Sequence, residues 1–215
     1  MPYNCRYKVF FFGAPGLSFV INQQLMRNIL SFMHVTLDGF VAGPQGEMNW
    51  IKLDDEMFEY ADRETGRSDL ALYGRNTFKI MDDYWPAAGD EPGANKHHVN
   101  HSKWYNKVDK LVLSKSMAGQ QIPKVTIVSD NLRSNISRIK EQPGQQIVIF
   151  GSPTAVHSLI KEDLLDEMWL MINPILIGKG IPMFKDIDAA KTLELVDSVR
   201  FKTGVIALNY RFKKS

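Results

Sequence analysis

Cysteine is almost absent. The 215 residues hold one, Cys5, so no internal disulfide can form and the fold has to stand on its buried core. That usage suits a reducing compartment, and cytoplasm is the expected location. Charge of one sign is scarce as well, with 26 Lys and Arg opposing 24 Asp and Glu to leave a formal +2. This is too little for the basic face that binding to a phosphate backbone requires, so no nucleic-acid partner is expected. No apolar run reaches the ~20 residues of a membrane helix, and no membrane partner is expected either. The nearest approach is the stretch 9–21 behind Arg6 and Lys8, which has the charge pattern of a signal peptide. It is broken by Gly13, Pro15 and Gly16 and lacks a small-x-small cleavage site before Met26. Residues 1–25 therefore read as a leader or extra terminal segment, ahead of one domain over 26–215. Also missing is G-x-G-x-x-G, which excludes a Rossmann fingerprint.

What is present is an alternation of apolar runs and helical patterns, in a chain that is 44% hydrophobic and 23% charged. Strands are predicted at 28–37, 69–73, 108–114, 125–128, 146–150, 167–172, 192–201 and 205–212, the last two paired around Lys202-Thr203-Gly204. Helices are predicted at 53–63, where Asp54, Asp55 and Glu56 crowd the positive end of the dipole, and at 74–81. Two more follow at 131–140, with Asp130 available as cap, and at 155–161, with Ser152 as N-cap. Residues 38–46 read as a Gly-rich loop, and Pro86, Gly89, Pro92 and Gly93 mark a long surface loop. The order predicts an α/β fold: a mixed, mostly parallel sheet, helices on both faces, and a C-terminal antiparallel hairpin.

Two strand-to-helix junctions carry the first chemical signal, Leu72-Tyr73-Gly74-Arg75-Asn76-Thr77 and Ile149-Phe150-Gly151-Ser152-Pro153-Thr154. In each, glycine permits close approach and a helix N-terminus offers free N–H groups and a favourable dipole to an anion. Together they could hold a pyrophosphate. Leu113-Ser114-Lys115-Ser116 adds two hydroxyls and a cation after a strand, a combination suited to a 2′-phosphate. Each segment alone is also ordinary connection chemistry or a polar turn.

These segments fall in an order that resembles a known family. Thr36-Leu37-Asp38-Gly39, Gly74-Arg75-x-Thr77, Val112-Leu113-Ser114, Gly151-Ser152, Leu165-Asp166-Glu167 and Pro174-x-Leu176-x-Gly178-x-Gly180 together resemble the dihydrofolate reductase superfamily. The likeness is greater to the branch holding the reductase domain of the bifunctional riboflavin-biosynthesis deaminase-reductase and its stand-alone bacterial relatives. It covers about residues 26–212. The resemblance implies a dihydrofolate-reductase-like three-layer fold binding NADPH across the carboxyl ends of the strands. By position, Gly74, Arg75, Asn76 and Thr77 would meet the cofactor phosphates and Ser114 with Lys115 the 2′-phosphate. Gly151, Ser152, Thr154 and Ala155 would hold the pyrophosphate, and Val41 and Ala42 would face the nicotinamide. Gly151-Ser152 departs from the Gly-Gly that folate reductases carry there. The implied reaction is hydride transfer to a C=N or C=O group of a small heterocyclic or ribosylaminopyrimidine-like substrate. The alternatives are genuine folate reduction, or a nucleotide-binding module without turnover.

Such a reaction needs a proton for the heteroatom. Asp55 lies five residues beyond Trp50, the interval at which folate reductases place the tryptophan and carboxylate that bind the pterin; the alternative is a helix-start acid. Asp38 is a second candidate, or a simple Asp-Gly turn, and Glu167 a third, or a solvent-facing strand residue. Arg63 or Arg67 would be the clamp for a folate tail. Gly178-Lys179-Gly180 reads as a loop, although it could nest an anion. His97, His98 and His101 have no carboxylate or cysteine at ligand spacing and read as surface histidines, so no metal is expected. Trp85, Trp104 and Trp169 read as packing residues. The apolar last third (Trp169, Met171, Ile175, Leu176, Ile177, Met183, Phe184) predicts a homodimer.

Overall fold

Ile29–Thr36 form β1, buried at every position but His34. A strand without a polar face has to be covered on both sides, and the rest of the chain arranges itself to do so. The computed structural model describes residues 26–213, so the expected leader at 1–25 lies outside the described residues. After β1 come β2 (Phe40–Ala42), α1 (Asp55–Gly66), β3 (Ser68–Gly74), α2 (Arg75–Ala88), α3 (Lys96–Lys107), β4 (Asp109–Leu113) and β5 (Val125–Val128). Then follow α4 (Leu132–Lys140), β6 (Gln146–Phe150), α5 (Pro153–Lys161), β7 (Glu167–Asn173), β8 (Ile181–Pro182), β9 (Leu193–Arg200) and β10 (Ile206–Phe212).

Eight strands make one sheet in the order β5-β4-β3-β6-β1-β7-β10-β9, and β2 pairs with β8 in a separate ribbon. The first six run parallel, while β10 is antiparallel to both β7 and β9. On one face, Ile29, Met33, Leu72 and Ile147 pack against Ile136 of α4 and Val156 and Leu159 of α5. On the other, Leu30, Phe32 and Trp169 meet Met57 of α1, and Tyr73 and Val112 meet Phe78 of α2 and Tyr105 of α3. The chain steps from β1 to β3 in one direction and from β6 to β7 in the other, leaving a crevice at the carboxyl ends of β1, β3 and β6. Among the described residues no helix is long and apolar enough to cross a membrane.

The expected sheet, helices and hairpin are all found, with four corrections. First, the loop expected at 38–46 contains β2, whose Ala42 carbonyl approaches β8 so closely that a Cβ on Gly180 would lie 2.2 Å from it. Second, α2 runs on to Ala88 with Pro86 in its last turn, where the missing N–H costs one bond and the helix ends two residues later. Third, the expected surface loop around the histidines contains α3, started by Asn95, whose side chain accepts the His98 N–H. His97 and His101 are buried rather than exposed, because an i, i+4 pair shares one helix face and that face is inward. Fourth, neither expected cap forms. Asn131, not Asp130, precedes α4, and Ser152 precedes α5 in the left-handed region with its hydroxyl turned elsewhere.

Candidate functional site

The two junctions meet. Gly74 precedes α2 and Ser152 precedes α5, and no side chain caps either helix, so both first turns keep free N–H groups for an anion beyond the sheet. The Gly74 N–H donates to Ser152 Oγ at 2.9 Å, stitching the two turns together. Gly151 (φ +68°) and Ser152 (φ +61°) are both left-handed, the second at the strain expected of a residue with a Cβ. Ala155 is buried behind this turn and Thr154 is exposed on it. Beside α2, Arg75 Nη1 donates to Ser116 Oγ at 2.8 Å, and Ser114 Oγ lies 3.3 Å from the same hydroxyl. Ser116 thereby links Arg75 to Ser114, and Lys115 between the two serines is exposed. Asn76 joins Arg75 through its Oδ1 at 3.3 Å, and Thr77 lies against Gly151. Val41 and Ala42 are buried on β2, and the Met183 N–H, just past β8, donates to the Gly39 carbonyl in the β1–β2 turn at 2.8 Å.

The three acids separate. Asp38 accepts from Thr36 Oγ1 at 2.6 Å and, through Oδ2, from the N–H groups of Ile177 at 3.1 Å and Gly178 at 2.8 Å. The Thr36 bond is the main reason its pKa lies below the ordinary carboxylate value. Asp38 thus takes the N–H groups at the start of the Gly178-Lys179-Gly180 loop, those of Ile177 and Gly178. Glu167 is not brought to the crevice. It pairs with Leu30 at the amino end of β7, six residues from the Thr36–Asn173 pair, about 20 Å at the rise of a strand. There it holds Arg211 at 3.0 Å. Asp55 opens α1 and is exposed, while Asp54 caps the helix through the Met57 N–H at 2.9 Å. Asp54 Oδ2 and Trp50 Nε1 are both enclosed without a hydrogen-bond partner.

Two residues of this site carried no sequence signal. Asn173, wholly buried, accepts the Lys52 N–H at 3.0 Å and so holds the loop bearing Trp50 onto the end of β7. His34 stands beside it, with burial pushing its pKa down to about 4. A lone histidine and a lone asparagine inside apolar strands are indistinguishable from chance until the register brings them together.

Both arginines proposed for a folate tail have partners on α1. Arg63 lies over the Tyr60 ring at 3.8 Å, and Arg67 meets Glu64 at 3.3 Å. His97 pairs with Asp62 at 2.6 Å and stacks on Phe58, while His101 lies 3.9 Å from Trp85 with Trp104 and Phe150 around it. A cavity of about 510 Å³ adjoins the α5 N-terminus, with Thr154, His157, Lys161 and Lys185 in its wall. A larger one, about 790 Å³, lies between α4 and the β4–β5 edge and includes none of the site residues.

A family model described as the RibD C-terminal domain matches residues 27–207. The chain is similar to YyaP of Bacillus subtilis strain 168, an uncharacterized protein, at 30% identity over 194 residues, 89% of this chain and 98% of that one. Among solved structures it is similar to the diaminohydroxyphosphoribosylaminopyrimidine deaminase/5-amino-6-(5-phosphoribosylamino)uracil reductase of Thermotoga maritima. The TM-score is 0.61 at 15% identity, over 87% of this chain and 57% of that one. It is also similar to dihydrofolate reductase of Enterococcus faecalis complexed with NADP(H), with a TM-score of 0.53 at 16% identity over 87% and 97%. At these identities the likeness establishes the fold, which is dihydrofolate-reductase-like.

Proposed function

The chain belongs to the RibD C-terminal domain family, and from that premise we propose that it is an NADPH-dependent reductase of a ribosylaminopyrimidine-like substrate. The observation that carries the reading is the Gly74–Ser152 bond, which sets two uncapped helix N-termini side by side next to Arg75, Ser114 and Ser116. Free N–H groups at paired helix starts fit a pyrophosphate, and a guanidinium flanked by hydroxyls fits a 2′-phosphate. The names of the two solved relatives, one a uracil-nucleotide reductase and one bound to NADP(H), agree with that fit.

When bound, NADPH supplies a hydride. A ribosylamine opens to a C=N form, and reduction of that carbon leaves the nitrogen needing a proton. Asp55 is the carboxyl we assign to deliver it, directly or through water. Asp38 is committed to three donors, Asp54 to its helix cap, and Glu167 to the far end of β7. Trp50, held by the Asn173–Lys52 bond, would pack against the heterocycle. Genuine folate reduction is the weaker reading, since Arg63 and Arg67 are engaged by Tyr60 and Glu64 on α1. A cytoplasmic setting and a homodimer complete the proposal.

The test is an NADPH-oxidation screen over 5-amino-6-(5-phosphoribosylamino)uracil, pteridines and dihydrofolate. Turnover of the first alone supports the reading, and turnover of dihydrofolate in preference to it would replace this function with the other.

A further inference from the structure

His34 faces the α1 side of the sheet with Leu30 and Phe32, because alternate residues of β1 share a face. Its ring stands edge-on to Phe32 with 6.4 Å between centroids. Nδ1 lies 3.4 Å from Nδ2 of Asn173, and the orientation of that amide is fixed by its other partners. Asn173 Oδ1 accepts from the Lys52 N–H at 3.0 Å, while Nδ2 donates to the carbonyls of Met171 at 2.9 Å and Val35 at 3.4 Å. Turning the amide end for end would set oxygen against two carbonyls and nitrogen against an N–H. Nδ2 cannot accept, and its two protons are shared among the two carbonyls and His34 Nδ1. Nδ1 of a neutral ring has to accept, which places the ring proton on Nε2. Burial keeps the ring neutral at physiological pH. No acceptor among the described residues takes the Nε2 proton, and the atom is not enclosed.

We propose that His34 Nε2–H is a substrate-binding donor at the crevice, with Asn173 as the positioning residue that fixes its tautomer. It would select substrates that present a neutral acceptor, such as a ring carbonyl of a pyrimidinedione, and disfavour those presenting an N–H or a cation at that point. Since the Asn173 side chain also anchors Lys52, one amide orients both His34 and the loop carrying Trp50. The inference rests on the reductase reading for the identity of the substrate. The geometry of the donor does not.

Two measurements test it on the full chain. In NMR of protein carrying isotope-labelled histidine, at neutral pH, His34 is expected as the Nε2–H tautomer, its resonance moving when 5,6-diaminouracil is added. In turnover of 5-amino-6-(5-phosphoribosylamino)uracil, His34→Phe is expected to raise KM roughly three- to tenfold with kcat and NADPH affinity unchanged, as loss of one neutral hydrogen bond does. His34→Gln keeps an N–H and should recover part of that loss. An Nδ1–H tautomer, a resonance indifferent to the diaminouracil, or an unchanged KM in His34→Phe would overturn the proposal. If the native protein turns over nothing, the reductase reading fails and the NMR result alone decides the role of His34.

Discussion

Ser152 shows how one side chain can serve two elements. Its hydroxyl leaves the α5 N-terminus uncapped and instead accepts the Gly74 N–H, so Ser152→Ala should orphan a backbone donor at the crevice. An unpartnered buried donor costs about 1–3 kcal/mol, and both a lower Tm and weaker NADPH binding are expected in calorimetry and titration. A variant as stable and as tight-binding as the native chain would show the stitch to be incidental. For the proton, Asp55→Asn should lower kcat by ~10²–10⁴-fold, as removal of a general acid does, with NADPH affinity unchanged. Asp54→Asn keeps an N-cap acceptor and should leave kcat nearly intact. The reverse pattern in steady-state kinetics would move the role to Asp54, whose Oδ2 is enclosed without a hydrogen-bond partner. The glycines, Arg75 and the serine pair were legible in the sequence because their chemistry is local to each junction. The Gly74–Ser152 bond and the His34–Asn173 contact span 78 and 139 residues and become visible only in register.

At the level of elements, the strands were legible where the apolar runs were aliphatic, as in Ile29–Thr36 and Gln146–Phe150. Helix α3 was not, because its buried face is made of His97, His101 and Tyr105 rather than Leu or Ile, and the nearby Pro and Gly suggested a loop. That polar-looking core has a consequence for acid stability. Burial, and then the nearby His97 and His98, push the His101 pKa down to about 3, and neither ring nitrogen has a partner. The folded chain holds this imidazole neutral while the unfolded chain protonates it near 6.5, so below that value unfolding takes up a proton. The contribution is intact above pH 6.5 and is lost progressively down to about 3. At pH 5 the loss amounts to about 2 kcal/mol, and His34 acts in the same direction. Melts at pH 7.5 and pH 5 should therefore differ by several degrees, and His101→Phe should shrink the difference. An undiminished loss in that variant would place the acid sensitivity elsewhere.

For the whole molecule, the residues from which a homodimer was expected divide into buried and exposed. Trp169, Met171 and Met183, taken as part of an apolar interface, are buried within the single chain, where they help cover the sheet and its flanking core. Leu176, Ile181 and Phe184 remain exposed, and they now carry the homodimer proposal. Light scattering at micromolar concentration should report twice the 24.5 kDa of one chain, and a particle of one chain would remove the dimer. The reductase reading itself depends on selective binding of a cofactor bearing a 2′-phosphate. Fluorescence titration of the native chain with NADPH and NADH measures this directly. Charge-assisted bonds from Arg75 with support from the two serines, at ~1.5–3 kcal/mol each when well placed, predict that NADPH binds at least tenfold more tightly. Equal affinities, or binding of neither, would contradict the account.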